Sequence, residues 1–299
     1  MTAWGLVVAS HGRHCWVEDD QGNRRICHHR GKKNSAVVGD RVQWRPSQDE
    51  GTIESIEPRR NLLYRQDELR TKSFAANLDQ VLVLVAAEPD FSQDQLARAL
   101  IASHAQGITP MLVVNKSDLG PAFALAWQRM EPYRQMGETT LALSLKSGAG
   151  LDELLAQLQG KTTLILGPSG AGKSTLVNRL VPSAQAATGE ISKALHSGRH
   201  TTTSTHWYWL GEERGAALID SPGFQEFGLH HLDARDLARF MPDMQAQLGD
   251  CKFYNCTHLH EPGCAVLAQV EGEQGTGTIS ARRHRINAQL FEELSQQRW

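Results

Sequence analysis

The sequence predicts a chain of three parts. These are a small β-barrel over residues 1–70, an α/β unit with a mostly parallel sheet over 71–227, and a mostly helical segment over 228–299. Three observations carry this division. Residues 1–70 hold five short β-type runs and no helical period. After Asn77, apolar runs alternate with helical stretches, the pattern of βαβ units with helices on both faces of a sheet. From residue 228 the texture turns helical and irregular, and it encloses three of the five cysteines.

At 299 residues, 40% hydrophobic and 21% charged, the chain has the composition of a globular protein with room for more than one core. No apolar run approaches the ~18 residues of a membrane span. The opening MTAWGLVVASHGRHC lacks a basic segment and a cleavage site, so it reads as a first strand and not as a signal peptide; a cytoplasmic location is expected.

In the first part, the runs WGLVVAS, HCWVED, RRICHHR, DRVQWRP and GTIESIEP are separated by turn residues such as QGN at 21–23 and the Gly39-Asp40 pair. Five strands in so short a span predict a closed barrel. An OB-fold leads, because such barrels present a strand face and loops to nucleic acid, and an SH3-like barrel stays open. Residues 1–72 carry 13 Lys+Arg against 10 Asp+Glu, whereas the remaining 227 carry 18 against 23. Arg24, Arg25, Arg30, Lys32 and Lys33 crowd one stretch around His28 and His29, which is either a solvated loop or an edge that contacts phosphates. Cys15 and Cys27 fall in strand-like runs and read as small buried hydrophobes.

In the second part, VLVLVAA (81–87), TPMLVVN (109–115) and TTLILG (162–167) read as buried strands; DQLARALIASHAQG (94–107) and GLDELLAQLQG (150–160) read as helices. Gly167-Pro168-Ser169-Gly170-Ala171-Gly172-Lys173-Ser174-Thr175 follows a strand and precedes the helix-like STLVNRLV, the context of a phosphate loop. Lys173 is placed to reach the β- and γ-phosphates, and the Ser174 hydroxyl to ligate Mg²⁺. Asp220-Ser221-Pro222-Gly223 ends the strand GAALID; Asp220 can hold Mg²⁺ through water and the Gly223 N–H can meet the γ-phosphate. Between them, GRHTTT (198–203) supplies the switch threonine, with Thr202 favoured over Thr201 and Thr203.

Asn115-Lys116-Ser117-Asp118 selects the base. A carboxylate at Asp118 accepts from guanine N1 and the 2-amino group, Lys116 packs its stem on the ring, and Asn115 ties this loop to the phosphate loop. Ser144-Leu145-Lys146 matches the remaining guanine loop, whose backbone N–H meets O6. The five elements run NKSD, SLK, GPSGAGKS, TTT, DSPG, with the phosphate loop after the base-reading motif, a circular permutation of a P-loop GTPase sheet with GTP as the nucleotide. Phe224 stands where Ras-like proteins place the water-orienting Gln, so slow intrinsic hydrolysis is expected. His200 and His206 are weak candidates for that role.

In the third part, Cys251-x4-Cys256-x-His258-x5-Cys264 offers three thiolates and an imidazole, with His260 as the competing imidazole. That set closes a tetrahedral zinc shell with no open position, so the site is expected to be structural and a zinc-dependent RNA-modifying enzyme is disfavoured. The stretch ARRHRINAQLFEELSQQ (281–297) predicts a helix with Ile286, Leu290 and Leu294 on its packing face.

With these motifs in place, the sequence resembles the bacterial ribosome small-subunit-dependent GTPase A family (RsgA, also called YjeQ). The resemblance spans nearly the whole chain: VVGDRV (37–42), PRRNLLYR (58–65), the permuted motifs, DSPGFQEFGL (220–229) and the cysteine cluster. It implies a late assembly factor of the small ribosomal subunit whose GTP hydrolysis is stimulated by that subunit and coupled to release, with subunit rRNA as partner and the chain a monomer. A GTP-gated rRNA-binding module with incidental turnover is the alternative. The family pattern favours His258 as the fourth zinc ligand. Contacts to rRNA phosphates are expected from Arg24, Arg25, Arg30, Lys32 and Lys33 and from Arg282, Arg283 and Arg285. Because DSPGFQEFG runs directly into the cysteine-bearing segment, the permutation is expected to couple that switch to a docking part of the molecule.

Overall fold

The structure is a computed structural model. It describes residues 2–11, 14–29, 36–47, 50–68, 70–184, 205–221, 224, 227–272 and 277–296. Thr201, Thr202, Thr203, His200, Pro222, Gly223, Arg30, Lys32 and Lys33 lie outside the described residues.

The N-terminal strands are β1 (Ala3–His11), β2 (His14–Glu18), β3 (Arg24–His29), β4 (Arg41–Pro46) and β5 (Gly51–Ile56). β1 pairs with β2, β2 with β3, β3 with β5, β5 with β4, and β4 returns to β1, so the sheet closes. Only the β3–β5 pairing is parallel. This is the five-stranded Greek-key barrel of an OB-fold. Alternate residues of these strands fill its interior: Val7, Cys15, Val17, Cys27, Val42, Trp44 and Ile53. Burial pushes the Cys15 and Cys27 thiols up to about 12, which keeps them protonated and unreactive.

The barrel is built into the larger sheet. β1 pairs antiparallel with β12 (Thr205–Leu210) at Ala9↔His206 and Ser10↔Thr205. Beside this seam the buried Glu18 carboxylate accepts from Arg24 Nε at 2.7 Å, Trp209 Nε1 at 2.7 Å and Arg214 Nη1 at 3.1 Å. A second seam uses the PRRN stretch. Arg59 makes a two-pronged contact with the fully buried Asp40 at 2.7 and 2.8 Å, and Arg60 reaches Asp79 at 2.8 Å.

The hairpin β6 (Leu62–Gln66) and β7 (Thr71–Ala76) spans residue 70, where the sequence placed a part boundary. At Gly39, φ is +92° and a Cβ would stand 2.2 Å from the Ala76 carbonyl oxygen, so only glycine lets the barrel approach this hairpin so closely.

β8 (Gln80–Ala86), β9 (Thr109–Asn115), β10 (Thr139–Ala142), β11 (Thr162–Leu166) and β13 (Ala216–Asp220) are parallel in the order β10-β9-β8-β11-β13, with β12 antiparallel beyond β13. Every residue of β8 is buried, as a strand covered on both faces requires. α1 (Gln93–Ala105) covers one face. α4 (Leu151–Leu158) and α5 (Lys173–Leu180) cover the other. Short helices α2 (Pro121–Gln128) and α3 (Glu131–Gln135) follow β9. The expected strands and helices of this part are all present.

The C-terminal part holds a 3₁₀ segment (Ala234–Phe240), α6 (Pro242–Gln245), α7 (Ala265–Ala268) and α8 (Ala281–Ser295). On α8, Ile286, Leu290 and Leu294 are buried as expected. Arg283 shares their face and corrects the expectation that it contacts RNA. Its guanidinium is buried, bonds Asp243 at 2.9 and 3.0 Å and lies 5.3 Å from the centre of the Tyr133 ring. The helical period decides this: residue 283 is in phase with 286, 290 and 294. Arg282 is exposed and pairs with Asp94 at 2.8 Å, and Arg285 is exposed. No helix among the described residues is long and apolar enough to cross a membrane.

Asp243→Ala strands the Arg283 charge in the interior. The expected loss is about 3–5 kcal/mol, read as a lower urea midpoint for the C-terminal part. Asp94→Ala, which frees exposed Arg282 and removes the acidic side chain from the first turn of α1, should cost about 1 kcal/mol.

Candidate functional site

The parallel strands deliver the sequence motifs to one edge of the sheet, since each motif follows the C-terminal end of its strand. Asn115 ends β9, Ser144 follows β10, Gly167 follows β11 and Asp220 ends β13. A cavity of about 680 Å³ opens there. It is lined by Asn115, Lys116, Asp118 and Leu119 of the base-reading motif and the turn after it, by Leu145 and Lys146, and by Ser169, Gly170, Gly172, Lys173, Ser174 and Thr175 of the phosphate loop and the start of its helix.

Asn115 is buried and joins three motifs. Its Nδ2 donates to the Ala171 carbonyl at 2.9 Å, and its Oδ1 accepts from the Leu145 N–H at 3.2 Å. At Gly172, φ is +105° and a Cβ would stand 2.5 Å from Asn115 Nδ2, so the contact requires glycine. Ser144 Oγ donates to Asp118 Oδ1 at 2.6 Å, and Ser117 N–H to the Leu143 carbonyl at 2.9 Å. The Ser144 hydroxyl, reinforced by Lys146 and Lys116, holds the Asp118 carboxyl below its ordinary range, so it faces the cavity ionised. Lys116 adopts a left-handed conformation (φ 66°) and reaches the Glu88 carbonyl. A non-glycine residue held there is strain located at the site.

In the phosphate loop, Lys173 Nζ donates to the carbonyls of Gly167 and Pro168. Burial lowers the Lys173 pKa and raises that of Asp220, each partly opposed by the other's charge. A phosphate against the lysine and a divalent cation against the carboxylate would restore both charged forms, so this pair fits a magnesium-bound nucleotide. Phe224 is buried and packs beside Phe227, which stacks on Phe74 of β7 at 5.5 Å.

A second constellation lies in the C-terminal part. The ligand atoms of Cys251, Cys256, His258 and Cys264 fall within 4.8 Å of one another. His258 Nδ1 stands 3.6 Å from Cys251 Sγ and 3.5 Å from Cys264 Sγ, and those sulfurs are 4.0 Å apart. Metal–sulfur bonds of ~2.3 Å and metal–nitrogen bonds of ~2.0 Å give tetrahedral edges of about 3.5–3.8 Å, so the four donors fit one ion. Burial and the neighbouring Cys264 and Cys251 push the Cys256 thiol up to about 12, a cost that a bound cation removes. His260 is exposed and outside the group. Around the cluster, the Glu261 carboxylate accepts from the N–H groups of Thr257, Leu259 and His260, and the Leu267 N–H donates to Cys264 Sγ at 3.4 Å.

The family model described as RsgA GTPase matches residues 56–230. The chain is 63% identical over 297 residues to a protein of Variovorax paradoxus named "Small ribosomal subunit biogenesis GTPase RsgA", covering 99% of this chain and 93% of that one. The chain belongs to the RsgA GTPase family. It is accordingly a GTP hydrolase. A relative of the same name from Paraburkholderia phytofirmans is 52% identical, over 98% of this chain and 93% of its own. The crystal structure of YjeQ from Thermotoga maritima superposes with a TM-score of 0.75 at 27% identity, with full coverage of both chains. YloQ, described as a circularly permuted GTPase, gives 0.71 at 25% identity and covers all of this chain and 97% of its own.

In this RsgA-family chain the two described basic candidates of the barrel both have partners within the chain. Arg24 is engaged by Glu18, and Arg25 Nη1 donates to the Ser47 carbonyl at 2.6 Å. Sequence reasoning missed the loop after β8: Pro89 abuts Gly170, at 3.1 Å from where a Cβ would stand. It also assigned no partner to the Leu145 N–H, which Asn115 takes. Each joins a backbone position to a side chain from a distant segment, a pairing that residue type alone does not specify.

Cys256→Ser removes one corner of the tetrahedron. Elemental analysis should find metal falling from about one ion per chain to a small fraction, with GTP binding retained. Equal metal content in the variant would refute the four-donor site.

Proposed function

We propose that this chain acts in biogenesis of the small ribosomal subunit, as a slow GTPase whose hydrolysis the subunit stimulates and whose release follows hydrolysis. The observation that carries the reading is the single cleft in which Asp118, Asn115 and Lys173 meet, within a chain 63% identical to a relative named for that role. In this reading Asp118 accepts from guanine N1 and the 2-amino group, and Lys116 lies along the ring. The loop of Gly167, Pro168, Ser169, Gly170, Ala171 and Gly172 cradles the phosphates, with Lys173 on the β- and γ-oxygens and Thr175 in the first turn of α5. Ser174, Thr202 and Asp220 would hold Mg²⁺, which would supply charge neutralisation on the transferring phosphoryl group. The Gly223 N–H meets the γ-phosphate.

Phe224 cannot orient water, and its burial beside Phe227 keeps it from being displaced easily. Completion of the catalytic site therefore falls to the subunit. The metal of the Cys251, Cys256, His258 and Cys264 cluster is zinc, in a closed structural site. Arg25 and Arg285, with Arg30, Lys32 and Lys33, contribute rRNA phosphate contacts from the cytoplasmic monomer.

GTP turnover with and without purified small subunits tests the proposal. Stimulation by at least about tenfold is expected, lost in Lys173→Ala; an identical rate with and without subunits would overturn it. Base selection is tested separately: Asp118→Asn should weaken GTP and favour XTP, measured by competition binding. A variant that still prefers GTP would remove Asp118 from the base site.

A further inference from the structure

Leu145 is held at three points. Its N–H goes to Asn115 Oδ1, and its side chain packs against Gly172, with Cδ1 3.2 Å from where a Cβ on that glycine would stand. Its carbonyl accepts from Arg179 Nη1 at 2.7 Å. Arg179 sits in the last turn of α5, the helix that begins at Lys173. It passes close to Gly148, whose φ of +89° favours glycine and where a Cβ would stand 3.1 Å from Arg179 Nη2. Leu145 and Lys146 line the nucleotide cavity and Arg179 does not.

The carbonyl of Leu145 and the N–H of Lys146 belong to one planar trans peptide, so they point in opposite directions. With the carbonyl held by Arg179, which does not line the cavity, the Lys146 N–H is directed away from Arg179. No backbone hydrogen bond among the described residues uses that N–H. The Leu145 N–H is already committed to Asn115, so the Lys146 N–H is the amide of this loop that remains for a base acceptor.

We infer that Arg179 is a positioning residue for base recognition: by holding the Leu145 carbonyl it aims the Lys146 N–H at the guanine O6. The inference rests on the guanine reading of this cleft. The guanidinium also polarises the peptide and so strengthens its N–H as a donor. Base readout is thereby tied to the helix that carries the phosphate loop, through one exposed side chain.

The test is equilibrium displacement of a fluorescent GDP analogue from the full chain by GTP, ITP and 6-thio-GTP. ITP keeps O6 and lacks the 2-amino group; 6-thio-GTP keeps the amino group but offers sulfur, a weak acceptor, at position 6. Arg179→Met should weaken GTP about 3–10-fold, the worth of one neutral hydrogen bond. ITP should weaken in parallel, and 6-thio-GTP should change much less. Arg179→Lys, which keeps a donor on a long stem, should recover most of the loss. Equal weakening of all three nucleotides, or no change in any, would overturn the inference. Asp118→Asn in the same assay separates the two levels. If it leaves GTP preferred, the guanine reading fails; if it shifts preference to XTP while Arg179→Met changes nothing, only the role of Arg179 fails.

Discussion

The nucleotide cleft depends on the side-chain amide of Asn115. One group donates to the phosphate loop at Ala171 and accepts from the third guanine loop at Leu145, from the end of the strand that carries the base-reading motif. A buried amide satisfied on both sides is expensive to move, because each lost partner leaves a desolvated polar group. Aspartate at this position has no N–H for Ala171, and leucine has neither function. The three loops are therefore fixed relative to one another before any ligand arrives.

That arrangement is indifferent to chain order. A parallel sheet brings the C-terminal ends of its strands to one edge, whatever order the strands are made in. β8 and β13 flank β11, and β9 follows β8, so motifs that run backwards along the chain stand in ordinary places in space. The permutation changes what the loops connect to. The chain resumes from residues 185–204 as β12, whose first two residues pair with β1 of the barrel. Beyond Asp220 it reaches Phe227, stacked on Phe74, and Leu229, bridged to Gln66 of the β6–β7 hairpin.

The segment after Asp220 is tied to the cysteine-bearing part at several points among the described residues. The hairpin comes first. Then Arg98 of α1 contacts the Phe227 carbonyl and also pairs with Glu293 of α8, which in turn receives His230 at 3.5 Å. Among the described residues, Phe224 and Phe227 also share one buried cluster with Leu237, Val266 and Leu290 of the cysteine-bearing part. These groups are ordered by packing as much as by charge, since Phe74, Phe227, Leu229, Leu237 and Leu290 belong to one buried cluster.

The sequence by itself determined the motifs and most elements around them. GPSGAGKST, NKSD and DSPG are local signals: each needs particular residue types over a few positions, and strand and helix periods on either side supply their context. The barrel was legible for the same reason, as five short β-type runs bounded by turn residues, and so were the three cysteines of the metal set, while the choice of His258 over His260 came from the family resemblance. What only tertiary structure decided was where long side chains go. Arg283 reads as one of three equivalent arginines until the helical phase and Asp243 bury it. Arg24 reads as free charge until Glu18, Trp209 and Arg214 converge beside it. The hairpin at 62–76 was hidden because neither LLYRQ nor TKSFAA alternates apolar with polar residues and no turn dipeptide joins them. Arg179 and Leu145 are 34 residues apart, and a carbonyl acceptor carries no side-chain signature. Local chemistry is written in residue type, whereas partner choice over long separations is set by packing, which a linear pattern does not contain.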